Sequence, residues 1–158
     1  MKNVKWKSLI VSLIISLGTG MAASALTAGS MGKYQELYKP PLSPPGWVFP
    51  VVWTVLYILM GIAAWLVYES GSPDTGQALK LYLLQLLVNA VWPVLFFRFH
   101  LYLLAFAWLL LLWYLVFTVT GKFWKIVPAA GKLMIPYLVW ITFAGYLNLA
   151  IAVHYWKM

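Results

Sequence analysis

The stretch WVFPVVWTVLYILMGIAAWLVY, Trp47 to Tyr68, carries no charged side chain and decides the fold. It meets the ~20 residues that a helix needs to cross about 30 Å of hydrocarbon. Four further runs resemble it, at about residues 6–28, 79–97, 101–120 and 134–155. Over the whole chain 64% of residues are apolar, against 11 Lys/Arg and 3 Asp/Glu among 158 residues. The mean hydropathy is +0.87. A soluble domain of this size buries only part of its surface, so lipid must solvate most of this one. The runs are continuous and lack strand alternation. They therefore predict an all-α membrane protein, a single domain over residues 1–158 built as a five-transmembrane-helix bundle.

The first run has a competing reading. Lys2, Lys5 and Lys7 precede an apolar segment ending at Ala23-Ser24-Ala25, as in a cleavable signal peptide. Its interior favours a permanent helix. Ser8, Ser12, Ser16, Gly20, Ser24 and Ala28 recur at every fourth position, a stripe of small residues that lets another helix approach closely.

Charge gives an orientation. With five spans, Lys2, Lys5, Lys7, Lys80, Lys122, Lys125 and Lys132 fall on one side, and Lys33, Lys39, Arg98 and Lys157 on the other. The positive-inside rule then places the N-terminus in the cytoplasm and the C-terminus outside. The formal net charge of +8 suits anionic headgroups, and no soluble domain offers a nucleic-acid surface.

Three connections are short. The first, GSMGKYQELYKPPLSPPG from Gly29 to Gly46, is long and stiffened by Pro40-Pro41 and Pro44-Pro45. It reads either as a spacer on the headgroups or, as we favour, as a proline-rich lid over the bundle.

Depth converges beneath that lid. At 1.5 Å per residue Trp53 lies roughly 9 Å from the outer end of its helix, and Asn148 roughly 10 Å from the outer end of the fifth. Trp92 sits at similar depth, with Asn89 one turn deeper. Asn89, Trp92 and Phe96 share a face, as do Trp140, Phe143, Ala144 and Leu147, and Pro50, Trp53 and Tyr57. The expectation is an aromatic pocket with a few amides. Simpler readings stand beside it. Trp6, Trp47, Trp124 and Trp156 suit the interfacial belt, Trp108 and Trp113 could face lipid or a neighbouring subunit, and Asn89 and Asn148 could serve only to join helices.

Acid–base chemistry is scarce. The acids Glu36, Glu69 and Asp74 fall outside the runs, and His100 and His154 lie at helix ends. No catalytic triad, metal cluster or proton relay can be assembled, which weighs against hydrolysis, metal chemistry and ion-coupled pumping.

KPPLSPPGWVFPVVWTVLYILMG (Lys39–Gly61), NAVWPVLFF (Asn89–Phe97) and PYLVWITFAGYLNLA (Pro136–Ala150) resemble the translocator protein family, the TspO or tryptophan-rich sensory proteins. The resemblance spans nearly the whole chain and suggests a bacterial member in a cell membrane. It implies a five-helix receptor for protoporphyrin IX and for isoquinoline carboxamide or benzodiazepine-type ligands. The ligand-binding positions would be Tyr34, Trp53, Asn89, Trp92, Phe96, Phe97, Trp140, Phe143, Ala144 and Leu147. It further implies light-dependent porphyrin degradation involving Trp53 and Trp140, with no covalent cofactor. Val153–Lys157 matches a loose cholesterol pattern, but a bacterial membrane generally lacks cholesterol. Lys39, Arg98 or Lys33 could pair with porphyrin propionates. A porphyrin or lipid transporter and a scaffold for a membrane partner are the alternative functions. The small-residue stripe or the aromatic fourth helix offers a homodimer face.

Overall fold

A computed structural model describes residues 5–28 and 37–156. Five helices follow one another: α1 (Trp6–Thr27), α2 (Val48–Glu69), α3 (Thr75–Pro93), α4 (Tyr102–Ile126) and α5 (Pro128–Trp156). Each is long and apolar enough to span a membrane. The boundaries differ from the sequence expectation in three places. α3 starts at Thr75 rather than 79, α4 runs to Ile126 rather than 120, and α5 starts at Pro128 rather than 134. The expected loop from 121 to 133 is therefore helical except at Val127. Pro128, which has no N–H to leave unsatisfied, fits the first position of α5.

The core lies between α2, α3, α4 and α5. Met60, Val67, Val116, Val119, Phe123, Met134 and Tyr137 are fully buried there, while Ile14, Leu87, Leu110, Phe117 and Val139 are among the apolar side chains left on the outside. Such an exterior suits acyl chains.

α1 is the most peripheral helix, and its small-residue stripe explains how it docks. A Cβ on Gly20 would stand 2.5 Å from the Tyr57 ring, and one on Gly61 of α2 would stand 2.8 Å from Ser16 Oγ. Ser12 Oγ donates to the Gly61 carbonyl at 2.7 Å. The stripe thus faces α2 from Ser8 to Gly20, while Ser24 and Ala28 remain exposed. Glu69 ends α2 and is not an isolated loop acid. It accepts from Ser8 Oγ and pairs with Lys5 Nζ at 3.3 Å. Trp65 Nε1 donates to the same Ser8 Oγ at 3.1 Å.

Of the long first connection, residues 29–36 lie outside the described residues, and with them Tyr34 and Lys33. Residues 37–47 are non-helical. They are tied to α5 by the Tyr38 N–H donating to Tyr155 Oη at 3.1 Å, and by Tyr146 Oη donating to the Pro41 carbonyl at 2.8 Å. The Tyr38 and His154 rings stack at 3.9 Å.

Candidate functional site

Pro93 shapes the site. It cannot donate to the carbonyl one turn back, and α3 continues beyond it as a π-helical segment, Val94–Arg98. The Phe99 N–H reaches the Val94 carbonyl and the Leu101 N–H reaches the Leu95 carbonyl. With this widened turn the consecutive rings of Phe96 and Phe97 are both buried, 4.8 Å apart and edge to face. Trp92 stacks on Phe96 at 5.2 Å.

Asn148 fixes that wall to the rest of the bundle. Its Oδ1 accepts from Trp92 Nε1 at 2.9 Å, and its Nδ2 donates to the Tyr102 carbonyl at 2.9 Å. The amide is 1% exposed, so both halves are satisfied where no water competes. One residue therefore joins α3, the start of α4 and α5.

Around this wall lies a cleft lined by Tyr38, Lys39, Ser43, Phe49, Trp92, Phe96, Phe97, Ala144, Leu147, Asn148 and Ile151. It contains about 390 Å³ of space between atoms including its open side, and almost none of this is free for a further atom. Drug-sized ligands occupy sites of about 300–1,000 Å³, so a flat ligand must displace a ring or the covering strand to enter.

The expected residues divide into three groups. Trp92, Phe96, Phe97, Ala144, Leu147 and Lys39 share the cleft. Trp140 and Phe143 line a separate groove between α2 and α5, together with Val51, Val52, Val55, Leu56, Leu59, Pro136 and Val139. Trp53 and Asn89 belong to the packed interior. Trp53 meets the rings of Tyr57 at 5.7 Å and Tyr137 at 6.1 Å. Asn89 accepts from Tyr57 Oη and donates to Tyr137 Oη at 2.7 Å, and Tyr137 Oη donates to Gln85 Oε1 at 2.8 Å. This phenol–amide chain crosses α2, α3 and α5 within the core. Burial in a low-dielectric interior makes such a fully paired chain a strong helix clamp.

Arg98 is exposed, and its Nη1 donates to the Leu26 carbonyl at 3.4 Å. Tyr34 lies outside the described residues. Pro50, assigned from spacing to the inner face of α2, is exposed; Phe49 takes the cleft position instead. Trp108 does not simply face lipid: its Nε1 donates to the Val88 carbonyl at 2.8 Å. Trp113, 37% exposed, donates to Thr142 Oγ1 at 2.9 Å.

Phe49 and Ile151 were legible as extensions of known faces, four residues from Trp53 and Leu147 respectively. Gln85 likewise sits one turn before Asn89. Tyr38 and Ser43 carry no periodic signal, because the strand that holds them is irregular.

Comparison with known proteins gives a consistent set of relatives. The sequence model described as TspO/MBR family matches residues 10–154. The tryptophan-rich protein TspO of Chlorobaculum tepidum is 33% identical, covering 94% of this chain and 96% of that protein. The tryptophan-rich sensory protein of Cereibacter sphaeroides is 37% identical over 92% of this chain and 90% of its own length. The translocator protein of Bos taurus is 33% identical over 87% and 83%.

Proposed function

The chain belongs to the TspO/MBR family and is an integral membrane protein, and from this premise we propose that it is a membrane sensor or receptor whose cleft binds protoporphyrin IX. The observation that carries the reading is the Trp92–Phe96–Phe97 wall, held by Asn148 under a strand that presents Lys39. A porphyrin is flat, apolar and π-rich, so it gains by lying against indole and phenyl rings. Its propionates require a cationic neighbour near the membrane surface. Lys39 fills that role within the cleft, with Arg98 a second candidate at the same end of the bundle. The proline-rich strand acts as a lid, and isoquinoline carboxamides and benzodiazepine-type compounds compete for the same aromatic wall. The N-terminus lies in the cytoplasm and the C-terminus outside, in a bacterial cell membrane.

Light-driven turnover requires no acid or base from the protein. Excited porphyrin and dioxygen supply the reactive species. Trp53 and Trp140 are the proposed indoles that donate an electron or trap the product, acting from behind the cleft: Trp140 meets Phe49 of the cleft at 5.9 Å, and Trp53 packs on Tyr57 and Tyr137. Titration of the purified protein with protoporphyrin IX in the dark tests binding through tryptophan quenching; absorbance under subsequent illumination tests turnover. Saturable quenching is expected, and quenching that rises linearly with pigment contradicts binding. A Trp53→Phe, Trp140→Phe double variant that bleaches bound pigment at the wild-type rate removes these indoles from the photochemistry.

The groove beside the cleft favours one second reading, facilitated movement of porphyrin or lipid across the bilayer. Liposomes carrying a porphyrin gradient separate the two: a sensor binds without net flux, and a transporter dissipates the gradient.

A further inference from the structure

The groove between α2 and α5 has no role in the binding reading above. It contains about 940 Å³ of space between atoms including its wide open side, and every residue lining it is apolar or aromatic. Its walls, Val51 to Leu59 and Pro136 to Phe143, belong to the interiors of two membrane-spanning helices, so it opens onto acyl chains and not onto water. Val51, Val55 and Val139 present about half or more of their surface there.

Two rings stand between this groove and the cleft. Phe49 lines the cleft, Trp140 lines the groove, and they meet edge to face at 5.9 Å. Trp140 is held less firmly than other indoles. Trp65, Trp92, Trp108 and Trp113 each donate their N–H to a defined acceptor, whereas Trp140 Nε1 is buried without one among the described residues. Turning the Trp140 ring therefore breaks no hydrogen bond. Pro136, one turn earlier on the same wall, removes a rung from the α5 backbone ladder and makes that wall easier to flex. The aqueous side is closed differently, by the strand carrying Tyr38, Lys39 and Ser43, which two hydrogen bonds and a ring stack tie to α5.

We propose that the α2–α5 groove is the route by which an apolar aromatic ligand dissolved in the bilayer reaches the cleft, with the Phe49 and Trp140 rings as its gate. The inference rests on the reading that the cleft binds such a ligand. The two routes into the cleft differ in what must move. Access from water must lift a segment tied to α5 by two hydrogen bonds and a ring stack, whereas access from lipid parts the Phe49 and Trp140 rings, turns Trp140 against Phe143, and moves the ligand between two apolar surroundings.

A gate changes the rates of arrival and departure equally and leaves the equilibrium untouched. The test uses protoporphyrin IX preloaded in lipid nanodiscs and stopped-flow tryptophan quenching. The chain has no cysteine, so Pro41→Cys and Tyr146→Cys can be joined by a short bis-maleimide that holds the strand on α5. Val139→Trp fills the groove from the lipid side, and Val55→Trp does so from the opposite wall should the first variant fold poorly. The cross-linked protein is expected to bind at the wild-type rate. The groove-filling variant should slow association and dissociation alike by about tenfold, with unchanged affinity. Slow association in the cross-linked protein, with normal rates in the groove-filling variants, overturns the route. Absence of saturable quenching in the wild type is a separate failure, that of the binding reading itself.

Discussion

Trp92 on α3 and Asn148 on α5 are joined by an indole N–H to Oδ1 hydrogen bond of 2.9 Å, which sets the aromatic wall of the cleft against the helix that closes it. Replacing Asn148 with Leu leaves the indole donor and the Tyr102 carbonyl without their partner. Orphaned buried polar groups cost about 1–3 kcal/mol each. Asn148→Leu should therefore lower thermal stability in detergent and weaken porphyrin binding together.

The Tyr57–Asn89–Tyr137–Gln85 chain gives a contrasting expectation. Tyr137→Phe orphans both Asn89 Nδ2 and Gln85 Oε1, whereas Tyr57→Phe orphans only Asn89 Oδ1. At about 1–3 kcal/mol per group, the first variant should be the less stable. None of the four residues lines the cleft. Porphyrin affinity of the folded variants should stay within about threefold of wild type, since distant sites act independently. Chemical unfolding paired with titration checks both halves.

Glycines separate tight contacts from empty ones. A Cβ at Gly131 would stand 2.7 Å from Trp124 Cα, a backbone atom that cannot swing away, whereas a Cβ at Gly18 meets nothing within 4 Å. Gly131→Ala should destabilise the α4–α5 corner, while Gly18→Ala should be neutral or stabilising by up to about 1 kcal/mol, the helix preference of alanine. Thermal unfolding of the two variants side by side measures the difference.

The contact of a charge with the cleft is testable by ligand chemistry. Lys39 lines the cleft, and its replacement by Gln should weaken binding of the free-acid porphyrin while leaving the dimethyl ester unaffected. Arg98→Gln should act in the same direction but less, because Arg98 does not line the cleft. Equal losses for acid and ester refute propionate pairing.

These residues also show where sequence reasoning succeeds. Five spans are readable because continuous apolar runs have one solution in lipid. The four-residue spacing of Ser8, Ser12, Ser16 and Gly20 marks a close helix contact, since such an approach demands small side chains, but it does not choose between a neighbouring helix and a second copy; the structure sets α2 there. Ala144 and Leu147 follow from helical spacing, and the structure sets both on the cleft. What was hidden depends on rotation and on irregular backbone. Depth and helical spacing put Asn89 on the face of Trp92, yet the side chain turns into the phenol network. Nothing in the residue types distinguishes an amide that lines a cavity from one that joins helices. The pairing of Phe96 with Phe97 on one side depends on the π segment after Pro93, which periodicity cannot foresee. The apolar run ends at 120, before Gly121 and Lys122, but α4 continues to Ile126, because at the membrane surface a lysine near a helix end extends into the headgroups.

On the proposed function a flat pigment occupies the space between the Trp92 wall and α5. Ala144 is 6% exposed and lines that space, so Ala144→Phe puts a ring where the pigment would lie. Equilibrium titration of wild type and Ala144→Phe with protoporphyrin IX, followed by tryptophan quenching, is the most direct measurement. Saturable binding by the wild type and a loss of about tenfold or more in the variant support the account. Equal affinity in the two proteins would place the pigment elsewhere and contradict it.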